Sequence, residues 1–322
     1  MHLWSQLDVH MLSIMNLEQL RSFVEVARTG HFTRAAEELH LAQPSLSRQI
    51  TALERDLGAP LLTRDRAGSR LTAAGEALLP LARRMLADAD TVRHDLAELA
   101  GLRRGRVRLG ATPTLCISLV AEVLSAFHAA HPAIELHLSE HGSRRLLDQL
   151  AAGELDLALI TTSDPATAER FAVAPLLVEE LVVVSAASAP AVTKASSISL
   201  AEVAALPQIV FSSTYDLRGA TDAAFAAAGL TPEVVLEGAE MDAVLRFVER
   251  GLGVAIVPAM VLHDRAGLRS VRLRDPKLGR TISLARPADV EPTAAVAVMQ
   301  RTVASTARAF AASAGATMRL AS

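Results

Sequence analysis

At 322 residues, 51% hydrophobic and 21% charged, the chain has an ordinary soluble composition and enough length for two or three domains. Its net charge of −3 gives no support by itself to nucleic-acid binding, and its one cysteine, Cys116, excludes an intramolecular disulfide and fits a reducing cytoplasm. The longest apolar stretch, near Leu181–Val192, is serine-bearing and too short for a bilayer span, which takes roughly 20 apolar residues, so no membrane partner is expected.

Residues 1–14 contain Asp8, two histidines and no basic cluster, unlike a secretory signal. They read as a flexible extension, or as an upstream start ahead of the true one at Met15. Charge is unevenly spread: residues 15–106 carry fourteen arginines against twelve acids, and the remainder is net negative. A modest basic end is compatible with DNA but does not argue for it, so the motif has to.

In 15–72, Leu17, Leu20, Phe23, Val24 and Ala27 recur at helical spacing, and Gly30 ends the run. Thr33 is the expected N-cap of a short helix, Arg34–Leu39, whose Ala35 and Ala36 allow another helix to approach closely. A break at His40–Gln43 precedes Pro44, a favoured first-turn residue, and then Leu46, Ile50, Leu53 and Leu57 form one buried stripe up to Gly58. The opposite face carries Ser45, Ser47, Arg48, Gln49 and Thr51, with Gln43 at its amino end. Such side chains bond base edges and phosphates. A solvated face would explain one helix taken alone; it does not explain the short helix, the tight turn and the packed alanines together. The spacing therefore predicts a helix-turn-helix with Thr33, Arg34, Gln43, Pro44, Ser45, Ser47, Arg48 and Gln49 against DNA. Two short arms around Gly68-Ser69 predict a β-hairpin whose Arg64, Arg66 and Arg70 neutralise phosphates.

The segment "FTRAAEELH", "QPSLSRQI", "LERDLGAPLL" and "LTAAGE", within some sixty residues, resembles the amino-terminal domain of the LysR-type transcriptional regulators. Two positions depart from the family habit: Ala42 stands where Ser or Thr is common, and Ala73 where Pro is common. The departure at Ala42 weakens a helix cap or a phosphate contact.

Thr72 can cap the next helix, with Glu76 in its first turn. Leu78, Leu81, Met85, Ala89, Val92, Leu96 and Leu99 recur by threes and fours, the period of a two-helix coiled coil, and the charged flanks favour self-association over packing on its own domain. Pro80 interrupts that helix and predicts a bend. Residues 73–105 thus read as a linker and dimerisation helix with a hinge at Gly101–Gly105. Family resemblance implies a dimer, commonly a dimer of dimers.

From Arg106 the pattern alternates strand and helix. Strands are expected at Val107–Ala111, Ile134–Glu140, Leu155–Ile160, Gln208–Ser212, Glu233–Glu237 and Val254–Val257, with helices at Leu115–Ala130, Ser143–Ala152, Thr221–Ala228 and Met241–Arg250. Two such βαβαβ-like halves imply two α/β lobes with parallel sheets, one of about 106–162 and 265–322 and one of about 163–264. Ligands of such sheets bind beyond the strand carboxyl ends. There stand Thr112, Thr114, Ser143, Thr161, Ser212 and Thr214. Helix capping explains each hydroxyl singly; their common placement favours a pocket between lobes. "RVRLGATPTL", "GELDLALI" and "GLGVAIVP" resemble the LysR effector-binding domain, which implies that these six residues lie near an inducer. A rim of hydroxyls without acids suggests a small anionic metabolite.

The expectation is an α/β protein: an N-terminal winged helix-turn-helix at 15–72, a long linker helix, and a two-lobed, periplasmic-binding-protein-like α/β effector domain at 106–322. It binds promoter DNA and a small-molecule effector in the cytoplasm, with RNA polymerase as a further partner. No nucleophile elbow, Walker loop, zinc-ligand spacing or dinucleotide fingerprint is present, so no catalytic residue, metal or cofactor is expected. A transport binding protein would share the lobes but have no use for a helix-turn-helix. Cys116, at a helix amino end where a thiol can be activated, lacks a resolving partner in the chain and is read as a packing residue.

Overall fold

The computed structural model describes residues 15–65, 68–99, 105–161, 165–213, 215–262, 265–313 and 317–321. The expected extension 1–14, hinge residues 101–104, the wing-tip Arg66 and Thr214 lie outside the described residues. The chain divides near residue 100 into two compact units.

In the first unit, helix α1 (Leu17–Thr29) starts on a capping box in which Asn16 and Gln19 exchange side-chain and backbone bonds, and it ends at Gly30 in the left-handed conformation. Helix α2 (Phe32–Glu38) opens earlier than expected, with His31 at its cap and no side-chain capping bond. Thr33 is therefore a first-turn residue and not the N-cap. The cause is phase: the helix must start at Phe32 to bury Phe32, Ala35 and Ala36 on one stripe. Helix α3 (Gln43–Leu57) has Pro44 in its first turn and buries Leu46, Ile50 and Leu53, whereas Leu57, one residue before the left-handed Gly58, is exposed.

Strands β1 (Leu62–Asp65) and β2 (Gly68–Leu71) form an antiparallel wing in which Arg64 is in register with Ser69. At Gly68 the backbone has φ +137°, and a Cβ would sit 2.6 Å from the Gly30 carbonyl oxygen, so only glycine lets the wing lie against the end of α1. Helix α4 (Ala73–Leu99) is capped by Thr72, whose Oγ1 accepts from the Gly75 amide at 3.1 Å, and it runs continuously through Pro80. The Gly75 of "LTAAGE" is there because a Cβ would meet the Leu61 carbonyl oxygen at 2.1 Å. The expected apolar seam divides in two. Ala82, with Leu78, Leu79 and Leu86, joins the core of this unit, whereas Leu81, Met85 and Val92 are 56%, 41% and 56% exposed.

In the second unit, β3 (Arg106–Ala111) leads into α5 (Pro113–Leu115), a π-helical turn (Cys116–Val120) and α6 (Ala121–Ala130). This is the expected helix with a π turn in it, beside which the Ser118 hydroxyl donates to the Thr114 carbonyl at 2.7 Å. Pro113–Ala130 is apolar enough to cross a membrane by length and composition, yet Leu115, Leu119, Val120, Val123 and Phe127 are core residues of this unit. There follow β4 (Glu135–Glu140), α7 (Ser143–Ala151), β5 (Leu157–Ile160), α8 (Pro165–Arg170) and the sixteen-residue β6 (Phe171–Ala186). Next come β7 (Ser197–Ser199), α9 (Leu200–Ala204), β8 (Gln208–Phe211), α10 (Asp216–Ala227), β9 (Val234–Ala239), α11 (Met241–Glu249) and β10 (Ala255–Pro258). A 3-10 turn (Ala259–Leu262), β11 (Leu268–Arg274), β12 (Gly279–Pro287), α12 (Ala294–Ser313) and β13 (Met318–Leu320) complete the unit.

The sheets are mixed rather than parallel. Strands β4, β3 and β5 pair in parallel, as do β8 and β9, but β6 is antiparallel to β12, β10, β11 and β13. Its first part pairs with β12 and its last residues, Leu181–Ala186, with β10 and β11, so one strand serves both lobes. The expected boundary at 264/265 therefore falls too early: β11 pairs with β6 and β7, and the second lobe's sheet continues to Arg274.

Candidate DNA-binding and ligand-binding sites

The first turns of α3 present the expected polar face. Gln43, Pro44 and Arg48 are exposed, and Ser45 and Ser47 are half-buried. An Arg48 guanidinium nitrogen donates to the Ser45 hydroxyl at 3.2 Å, which holds the charge over the amino end of the helix. Thr33 and Arg34 are exposed on α2, and Arg70 on β2. Gln49 also has a packing contact. Its Oε1 accepts from the hydroxyl of Ser22, which is buried on α1, so the amide oxygen packs α3 against α1. Arg28 is likewise occupied, by Glu25 at 2.5 Å and Glu38 at 3.2 Å, and the Glu25 hydrogen bond raises its pKa.

Two wing supports were missed by sequence reasoning. Glu54 Oε1 accepts from the amides of Leu61 and Leu62 at 2.8 and 3.1 Å, and the Gly30 carbonyl accepts from the Ser69 amide at 2.7 Å. The available signal was an acid close to a helix C-terminus, where the dipole disfavours it unless it has donors of its own.

In the second unit a cleft of about 310 Å³ is lined by Thr112, Pro113, Thr114, Glu140, His141, Gly142, Thr161, Tyr215, Asp216, Leu217, Glu240 and Arg280. Of the six expected residues, Thr112, Thr114 and Thr161 line it. Ser143 is buried behind Thr161, with its Oγ accepting from the Thr161 amide at 3.0 Å, and Ser212 is not in the lining. Thr112 begins the helical segment through its carbonyl, which accepts from Leu115 and Cys116. Its side chain makes no capping bond, and its Oγ1 is buried without a partner among the described residues.

The unforeseen lining is charged. Arg280, on β12, donates from Nε to Glu179 Oε1 at 2.7 Å and from Nη1 to Thr114 Oγ1 at 2.8 Å. Glu179, on β6, is fully buried, and its other oxygen accepts from the Met260 amide at 3.3 Å. Asp216, the first residue of α10, sends Oδ2 across to the Ser143 amide at the head of α7, at 3.1 Å. Tyr215 stacks on Phe211 with centroids 5.4 Å apart and donates its hydroxyl to Glu240. Three carboxylates thus line a rim expected to have none, and the anionic-metabolite expectation loses its basis. Burial, reinforced by Glu140, pushes the Cys116 thiol up to about 12, the opposite of an activated cysteine.

A winged helix-turn-helix and a two-lobed domain with a ligand-sized cleft define a ligand-responsive DNA-binding regulator. The bacterial regulatory helix-turn-helix model of the lysR family matches residues 17–76, and the LysR substrate-binding domain model matches residues 100–308. The chain belongs to the LysR family of transcriptional regulators. It is 32% identical to an uncharacterized HTH-type regulator, YybE, of Bacillus subtilis, over 84% of this chain and 92% of that one. It is also 32% identical to a probable nitrogen assimilation transcriptional activator of Synechococcus elongatus, over 85% of this chain and 89% of that one. A full-length OxyR variant from Pseudomonas aeruginosa superposes with a TM-score of 0.67 at 26% identity, over 90% of this chain and 98% of that one. The Bacillus and Synechococcus relatives are described as transcriptional regulators.

Proposed function

We propose that α3 reads promoter DNA through Gln43, Pro44, Ser45, Ser47 and Arg48, with Thr33, Arg34, Arg64, Arg66 and Arg70 on phosphates, and that an effector bound in the 112–280 cleft sets the affinity. Gln49 serves this face by fixing α3 on α1. The observation that carries the DNA contacts is the exposed Arg48, tethered to Ser45 on the face opposite Leu46, Ile50 and Leu53. Thr112 and Thr114 bind the effector, with Thr161 at the rim and Ser143 orienting Thr161. Self-association runs along Leu81, Met85 and Val92, exposed at i, i+4 and i+11; each dimer places two recognition helices in successive major grooves about 34 Å apart, and dimers pair into a tetramer. The protein acts in the cytoplasm and touches RNA polymerase from the bound promoter.

The test begins with selection of a tight duplex from random-sequence DNA by the full-length protein. Arg48→Ala is expected to lose the selected duplex by at least tenfold while melting as the wild type does. Unchanged retention refutes the recognition face. Leu81→Asp with Met85→Asp is expected to give monomers in sedimentation, and an unchanged mass refutes the seam.

A further inference from the structure

We infer that Arg280 is the residue that selects the ligand: its Nη2, together with the Thr112 hydroxyl, takes an acceptor oxygen of the effector, from a carboxylate or a neutral carbonyl. The inference rests on the cleft being the effector site. Arg280 is held from two sides. Its Nε donates to Glu179 Oε1 at 2.7 Å and its Nη1 to Thr114 Oγ1 at 2.8 Å, with Glu179 wholly buried. The same Glu179 oxygen lies 2.7 Å from Nη2, but it is aligned with the Nε hydrogen. Nη2 is buried with no hydrogen-bond acceptor among the described residues. The charge of the guanidinium is thus balanced, while the hydrogens of Nη2 are not.

Thr112 supplies a second, independent observation. It is 4% exposed, and its Oγ1 is buried without a partner among the described residues. Both residues line the cleft, and Arg280 is bonded to Thr114, two residues on from Thr112 at the start of α5. Buried N–H groups and hydroxyls are normally paired. A guanidinium nitrogen only donates, whereas a hydroxyl donates and accepts, so the partner that answers both is an acceptor oxygen. An ammonium satisfies the Thr112 oxygen alone and leaves Nη2 as it was. Because Glu179 already balances Arg280, the seat asks for a lone pair and not for a charge, and a neutral carbonyl fits it as a carboxylate does. Glu140, Asp216 and Glu240 share the lining and disfavour a carboxylate relative to a carbonyl, so the test compares the two.

The test follows thermal unfolding of the full-length protein with sodium butyrate, butyramide and n-butylamine, matched in length, up to about 20 mM. Butyrate or butyramide is expected to stabilise wild type at concentrations at least about tenfold below n-butylamine, and the better of the two identifies the oxygen as carboxylate or carbonyl. Thr112→Val is expected to weaken that probe about tenfold. Arg280→Lys, which keeps a cation beside Glu179 but loses the guanidinium fork, is expected to do the same. Without ligand, Thr112→Val should melt no lower than wild type, since it removes a buried hydroxyl that lacks a partner. A clearly lower melt means that the hydroxyl is already paired, and overturns the inference. So does n-butylamine acting at the lowest concentration, and so does stabilisation by neither oxygen probe, which leaves the seat to water. A crystal structure of wild type with the tighter probe reads the contact without a variant: an oxygen within hydrogen-bond distance of Nη2 is expected, and a polar end seated elsewhere refutes it. A probe weakened by Thr112→Val but indifferent to Arg280→Lys keeps the cleft as effector site and removes Arg280 from it. A probe indifferent to both binds elsewhere and overturns the effector-site reading as well.

Discussion

The bond between Ser22 and Gln49 decides whether position 49 reads bases or holds the recognition helix. The Ser22 hydroxyl is 1% exposed and donates to Gln49 Oε1 across the packed faces of α1 and α3. Gln49→Ala leaves that hydroxyl without its acceptor, and an unpaired buried polar group costs about 1–3 kcal/mol. Ser22 can turn to a carbonyl of its own helix, which lowers the expected loss to about 1 kcal/mol. Ser22→Ala added to Gln49→Ala removes the orphan, so the double variant should recover part of the loss; a double-mutant cycle on thermal unfolding isolates the pair. The matching DNA assay measures affinity for a selected duplex and its single-base-pair variants. A positioning residue weakens all of them by a similar factor, whereas a base reader loses about 1–3 kcal/mol of discrimination at one position. If Gln49→Ala melts as wild type and loses preference at a single base pair, the positioning role is wrong.

Other consequences are as direct. Glu54→Ala removes the one oxygen that accepts from both the Leu61 and Leu62 amides and should cost about 2–4 kcal/mol in wing anchoring, read as faster hydrogen exchange at those two amides. Exchange unchanged at both would show that Glu54 is not their acceptor in solution. Gly68→Ala forces a side chain onto φ +137° and 2.6 Å from the Gly30 oxygen, and it should destabilise the first unit by about 2 kcal/mol or more, visible in its melting temperature. For Cys116, a folded-state value raised from 9.0 to about 12 means that the native fold binds the extra proton between those limits. The associated stability is complete below pH 9 and declines as pH rises toward 12. At pH 8 only about one native thiol in ten thousand is ionised, so iodoacetamide should label the unfolded chain far faster than the native one. Equal labelling rates contradict that protonation state.

Much of the first unit is legible in the sequence because its signals are local. Pro44, Gly58 and the Leu46–Ile50–Leu53 stripe fix α3 within one helix, and Gly30 ends α1. The start of α2 is misplaced because Thr33 is a better capping residue than His31, but burial of Phe32 outweighs a cap worth about 1 kcal/mol. In the second unit the short strands and helices are visible, yet β6 is not. Its residues 181–186 are buried without alternation, which gives no period to detect, and its partners β10, β11 and β12 lie some 70 to 116 residues downstream. The hydroxyls Thr112, Thr114 and Thr161 follow from strand ends alone. Arg280 and Glu179 meet across the β12–β6 ladder, and no local pattern couples residues that far apart.

The acids of the rim escape the sequence for the same reason, and one of them has a mechanical consequence. Hydroxyls at strand ends report where a pocket is, but its charge depends on which ionised groups are already paired, and pairing belongs to tertiary structure. Asp216 shows this most clearly. Gly219, a poor helix former, conceals the true start of α10, and with it the carboxylate that reaches the head of α7. That bond joins the second lobe to the first across the cleft. Any effector that separates the lobes must break this hydrogen bond, worth about 1 kcal/mol because Asp216 is exposed, and any effector that closes them is helped by keeping it. A ligand shifts such an equilibrium only by its difference in affinity for the two arrangements. Asp216→Asn keeps the shape and an acceptor but removes the charge, so it should shift the ligand concentration needed for a response and, by linkage, the ligand-free affinity for DNA in the same sense; a shift in neither refutes the coupling.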